Sequence, residues 1–96
     1  MQWMMIATPP VETVEQFDAV TARAGDGEGM EGRWCGRTAT GALRVVTLWA
    51  SKEHADRFLA ERLGPALAQV LGPEPAGRPE IVGLEVLRSW TPAPVA

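Results

Sequence analysis

Two side chains in this sequence could move charge during a reaction. His54 is the only histidine, and an imidazole gains and loses a proton near neutral pH. Arg62 lies four residues after Phe58, three after Leu59 and seven after Ala55, so a regular helix would project it from the same sector as those apolar side chains. A guanidinium held there keeps its charge and needs an acceptor, which could be Glu85, a backbone carbonyl, or the carbonyl or enolate oxygen of a ligand. The chemistry implied is an anion or enolate clamp at Arg62 with His54 carrying the proton. Against it stand an arginine that runs past the helix end to water and a histidine in a solvated or capping role. Ser51, His54 and Asp56 do not make a hydrolytic triad, because neighbours at one helix start do not converge on a point.

Aromatic rings supply the other candidate surface. Trp34, Trp49, Phe58 and Trp90 could stack on a flat ligand, and the competing role for such rings in a small domain is core or dimer contact. Cys35 alternates with Trp34 along one run and shares its side with Arg33 and Arg37, cations that lower a thiol pKa; a buried inert thiol is the alternative. One His, one Cys and scattered acids present no ligand spacing, so neither metal nor cofactor is expected. The pattern Gly27-Glu-Gly29-Met-Glu-Gly32 satisfies GxGxxG, yet it follows a helix and carries two glutamates. A pyrophosphate site needs the glycines between a strand and a helix N-terminus, so an acidic turn is the reading kept.

The elements that must position these groups are legible from periodicity. Within Trp49–Leu71, residues Ala55, Phe58, Leu59, Leu63, Ala66, Leu67, Val70 and Leu71 recur at intervals of three and four, one buried helical face. Ser51 is its expected N-cap. Pro65 lacks an N–H, so one helix to about Leu63 and a second from Pro65 to Leu71 are expected. Thr13-Val-Glu-Gln16 matches a capping box ahead of Val14, Phe17, Val20 and Ala24, with Gly25 as the terminator. Gln2–Ala7 reads as a buried strand and Asp26–Gly32 as a loop. Arg33–Ala39 and Ala42–Ala50 read as a hairpin about Thr40-Gly41. Glu80–Trp90 reads as a last strand after a Pro/Gly linker, Gly72–Pro79, and Thr91–Ala96 as an extended tail. In the strand Ala42–Ala50, Leu43, Val45, Thr47 and Trp49 oppose Arg44, Val46 and Leu48, and neither side is clearly polar. Two helices can cover only one face of such a sheet.

Ninety-six residues with 46% hydrophobic and 22% charged content describe one globular domain spanning 1–96. A net charge of −3, with nine basic residues scattered among twelve acids, argues against nucleic acid. No stretch approaches the roughly 18 apolar residues of a membrane span. A single cysteine and the lack of a signal-like start lead to the expectation of a cytoplasmic protein.

The order strand, helix, strand, strand, helix, strand is the ferredoxin-like βαββαβ arrangement, an α+β fold with a four-stranded antiparallel sheet and both helices on one face. An apolar opposite face then calls for a second copy, and two sheets packed face to face make a dimeric α/β barrel. With Val46-Thr-Leu-Trp49-Ala-Ser51-Lys-Glu-His54-Ala-Asp-Arg-Phe58 running into Glu61-Arg-Leu-Gly64-Pro65-Ala-Leu67, the chain resembles the dimeric α/β barrel superfamily, and within it the antibiotic biosynthesis monooxygenase-like branch. The resemblance implies a homodimer binding a hydrophobic aromatic or polyketide-like molecule, with cofactor-independent monooxygenation as the enzymatic form. Trp49 and Trp90 would then stack on the substrate, Arg62 would stabilise an enolate and His54 would shuttle the proton. The anthrone-oxidising members are associated with Asn, Trp, Arg, Tyr and His, and this chain has no Asn and no Tyr. The resemblance implies two other readings: a non-catalytic ligand-sequestering or interaction module, and a haem-binding or haem-degrading protein in which Trp49 and His54 would match two members of a Trp, His and Asn set.

Overall fold

The computed structural model describes residues 1–72 and 80–92. Strand β1 (Trp3–Thr8) leads to helix α1 (Val14–Ala24), then β2 (Met30–Arg37), β3 (Leu43–Trp49), helix α2 (Lys52–Phe58), a π-helical turn (Leu59–Leu63), helix α3 (Gly64–Leu71) and β4 (Glu80–Glu85). The four strands form one antiparallel sheet in the order β2-β3-β1-β4. With the helical elements on one face, this is the ferredoxin-like α+β fold. Most of the expected linker and the end of the expected tail fall on residues 73–79 and 93–96, outside the described residues.

Local chemistry explains the helix ends. Thr13 Oγ1 accepts from the Gln16 N–H at 3.1 Å, the first half of the expected capping box. Gln16 Oε1 reaches one residue further back, accepting from the Glu12 N–H at 2.7 Å, so the box is stretched by a residue. Gly25, at φ 69°, ends α1 by donating its N–H to Thr21 O, a backbone conformation that suits glycine. Ser51 caps α2 by accepting from the His54 N–H.

Pro65 does not break the second helical segment. Leu63 and Gly64 both keep right-handed helical dihedrals, and the Gly64 N–H donates to Leu59 O, five residues back. The strain of the proline is absorbed upstream: an i→i+5 bond encloses one more residue than an α turn, and the chain continues unbroken into α3. Leu63, Ala66, Leu67, Val70 and Leu71 nonetheless stay on the core side, as their spacing reads.

Strand boundaries differ where pairing decides them. β2 starts at Met30, inside the expected loop, because the Gly29 carbonyl accepts from the Ala50 N–H and a bulge between Met30 and Gly32 restores the register. Its turn into β3 is broader than expected: Thr38 and Ala42 close it, with Gly41 at φ 91°. β4 stops at Glu85 rather than Trp90, since it can pair only as far as β1 extends; Glu85 faces Trp3, and the Val86 N–H makes the last rung to Gln2 O.

The register assigns the two sheet faces. Trp3, Met5 and Ala7 stand opposite Trp49, Thr47 and Val45, and these residues, with Arg33 of β2 opposite Thr47, look toward the helices. The core there is Met5, Val11, Val20, Ala24, Leu43, Trp49, Ala55, Phe58 and Ala66. The other face carries Met4, Ile6, Trp34, Val46, Leu48, Val82 and Leu84, and no helix covers it. Trp34 is 56% exposed there and Val82 62%, a larger apolar patch than an isolated domain usually leaves in water.

Candidate functional site

Between the sheet and the helices lies a cavity of about 70 Å³. Met5, Ala7 and Val45 form its floor, Val20, Phe17, Leu59, Leu63 and Leu67 its roof, and Trp49 with Phe58 its end wall. The two rings meet at 5.1 Å between centroids and 47° between planes, a tilted pair. Trp49 is fully buried, and its indole Nε1–H donates to Thr47 Oγ1 at 2.9 Å, which satisfies the one polar atom a buried tryptophan brings.

Thr47 sits in the otherwise apolar inward row Leu43, Val45, Thr47, Trp49, and its hydroxyl is one of the few polar groups on the cavity wall, with Thr21 and Arg33. Among the described residues Arg33 is the only charged side chain lining it. Its guanidinium is 27% exposed, so it stands at the rim. There Nη2 is 3.3 Å from Asp26 Oδ1 and Nη1 approaches Met30 Sδ at 3.9 Å. Asp26 itself is 82% exposed, and a pair so open to water binds weakly.

Of the residues expected to form a site, Trp49 and Phe58 meet at the cavity and the others do not. His54 faces a separate polar hollow of about 100 Å³ that it shares with Glu28, Arg57, Glu61 and Arg62; Phe58 is the partition between that hollow and the cavity. The imidazole Nδ1 is 2.7 Å from Ser51 Oγ, and the ring lies against Gly29, where no Cβ would fit. Arg62 is exposed and donates from Nη1 to the Ala24 carbonyl at 3.4 Å, neutralising the negative end of α1. It does not project into the cavity, contrary to the position read from uniform helical spacing: its head meets the end of α1 instead. Trp34 is on the uncovered sheet face, and Trp90 lies beyond β4 with 83% of its surface exposed. Cys35 is exposed rather than buried.

At the start of α2, Glu53 is held below the ordinary carboxylate range by its own backbone N–H and then by the Ser51 hydroxyl. Lys52, hydrogen-bonded to Asp56 at 2.8 Å, is held above its ordinary value by that partner. Both are on the surface, away from the cavity. Among the described residues no three His, Cys, Asp or Glu side chains gather as metal ligands, and no helix is long and apolar enough to cross a membrane.

The spacing of chemistry-bearing residues does not single out Arg33 and Thr47 as site residues. A signal for them does exist: each is polar within a run whose same-side neighbours must face the helices. Only the β2–β3 register joins the two sides into one wall.

No family model matches the chain, and no curated protein matches it. Solved structures do. A Caulobacter crescentus CB15 protein named as a candidate antibiotic biosynthesis monooxygenase is 22% identical, covering 91% of this chain and 91% of its own, with a TM-score of 0.64. SnoaB, a cofactor-independent oxygenase from Streptomyces nogalater, is 17% identical over 96% of each chain, with a TM-score of 0.63. A monooxygenase from the gene ActVA-Orf6 of Streptomyces coelicolor, solved with the ligand nanaomycin D, is 16% identical over 96% of this chain and 92% of that one, with a TM-score of 0.60. Other structures of similar closeness are of proteins of unknown function. The fold is therefore the ferredoxin-like one that these solved structures share.

Proposed function

We propose that this protein binds a hydrophobic aromatic or polyketide-like small molecule in the cavity between its sheet and helices, and that it does so as a homodimer joined through the uncovered sheet face. The observation that carries the reading is the cavity itself: an apolar chamber walled by the Trp49–Phe58 pair, with Thr21, Thr47 and Arg33 as its polar positions. Apolar walls with a few placed polar groups are what small-molecule sites require, and at about 70 Å³ this chamber must widen to admit a ring system of that class. The homodimer is supported by the row Met4, Ile6, Val46, Leu48, Val82 and Leu84, whose burial against a second copy would remove an open apolar row from water.

The fold shared with a cofactor-independent oxygenase supports an enzymatic extension. A ligand methylene would lose a proton, its carbanion would give electrons to O₂, and CH₂ plus O₂ would become C=O plus H₂O. The cavity wall offers no His, Asp or Glu among the described residues, which supports the second reading, a binding protein that sequesters its ligand without turnover. A titration of tryptophan fluorescence, read in a variant that keeps Trp49 alone of the four tryptophans, with anthrones, quinones and flat polyketides tests the common part. Saturable quenching that disappears in Ala7→Phe, whose ring would fill the cavity, is expected; quenching unaffected by that substitution refutes the site. O₂ uptake with the quenching ligand then separates oxygenase from sequestering protein.

A further inference from the structure

We infer that Arg33 makes the cavity selective for amphiphilic ligands bearing one anionic oxygen group, with Asp26 as the resident counter-ion that such a ligand displaces. This rests on the cavity-binding reading above and narrows it to a substrate class.

Arg33 belongs to the inward face of β2, opposite Thr47 of β3, so its aliphatic stem runs along the apolar wall and its head reaches the rim. A guanidinium cannot lose its charge, and a ligand seated in the cavity would cover it. Once water is excluded, an unpaired cation is costly unless the ligand supplies the partner. The partner now in place is replaceable: Asp26 lies 3.3 Å away, is 82% exposed and belongs to the loop before β2. The second terminal nitrogen of Arg33, Nη1, rests against the Met30 sulfur at 3.9 Å, a weak acceptor. A carboxylate, or the single oxygen of an ionised enol, would accept from both nitrogens in the fork geometry that arginine presents. Thr47 fixes the opposite wall: its oxygen already accepts from Trp49 Nε1, which leaves its hydrogen and one lone pair for the ligand.

The charged group of the site is therefore a donor, whereas the Thr21 hydroxyl, which gives its hydrogen to the Asp18 carbonyl at 3.1 Å, presents only an acceptor. A neutral hydrocarbon would leave Arg33 on Asp26 and gain nothing from it, and a cationic ligand would be repelled.

Calorimetric titration with 2-naphthoate and 2-naphthamide, matched in shape and different in charge, tests the inference. The naphthoate is expected to bind about tenfold more tightly at neutral pH. In Arg33→Gln the difference should vanish because naphthoate binding weakens far more than that of naphthamide, whose neutral carbonyl loses less, and Arg33→Lys should restore part of it. Asp26→Asn, a change at an exposed side chain, should tighten naphthoate and leave naphthamide alone. Equal affinity of the two probes for the native protein, a preference that survives Arg33→Gln, or no effect of Asp26→Asn would overturn the assignment. Equal binding leaves the cavity reading standing, whereas no binding of either probe removes both.

Discussion

The hydrogen bond between Trp49 and Thr47 offers the sharpest test of how the cavity wall is held. Trp49 is fully buried, Thr47 is 8% exposed, and the bond from Nε1 to Oγ1 is 2.9 Å long. Thr47→Val keeps the side-chain shape and removes the acceptor. The indole N–H is then left unpaired, at a cost of about 1–3 kcal/mol. For a domain of this size each kcal/mol moves the melting temperature by about 4–8 °C, so a drop of at least about 4 °C is expected. In the Trp49→Phe background the donor no longer exists, and Thr47→Val should be neutral or slightly stabilising because it buries a methyl in place of a hydroxyl. Urea unfolding followed by far-UV circular dichroism, at one protein concentration so that any dimer contributes equally, gives the double-mutant cycle. A coupling of about 1–3 kcal/mol is expected. Were Thr47→Val to cost less than about 0.5 kcal/mol, or the same in both backgrounds, the bond would not be what orients the indole.

The geometry sets three further expected outcomes. Gly29→Ala meets two obstacles, a φ of 83° and a Cβ directed into the His54 ring, and should destabilise by more than about 1 kcal/mol, whereas Gly36→Ala, with open space around it, should stay within about 0.5 kcal/mol; thermal melts compare them. Val82→Asp adds a charge on the uncovered sheet face, at the edge strand β4, and should convert a dimer to monomer in sedimentation velocity; a native protein that sediments as a monomer at tens of micromolar would refute the dimer. The Glu53 carboxyl titrates below its unfolded value, so its contribution to stability is complete above the unfolded value and is lost as pH falls through the folded one. Ser51→Ala should raise the Glu53 midpoint toward the ordinary carboxylate range in an NMR pH titration, and an unchanged midpoint would show that the Ser51 hydroxyl has no part in the shift.

Much of the fold can be read in one dimension. Thr13, Gly25 and Ser51 end helices through their own side chains or their own dihedral freedom, and the intervals from Ala55 to Leu71 mark a buried face whatever it packs on. The two-sided apolar pattern of β3 already implies a sheet with one face left over. These are local properties, decided within a few residues of chain. The site cannot be read in this way. A uniform 3.6 residues per turn puts Arg62 on the apolar face, whereas in the fold its long side chain reaches the Ala24 carbonyl at the C-terminus of α1. Arg33 and Thr47 are fourteen positions apart and become one wall only through the β2–β3 register, just as Trp90 is stranded because β4 runs out of partner at Val86. Helix ends and apolar faces depend on near neighbours, whereas which polar groups share a cavity depends on strand register and on where a long side chain finds its partner, and both are set by contacts between segments distant in the chain.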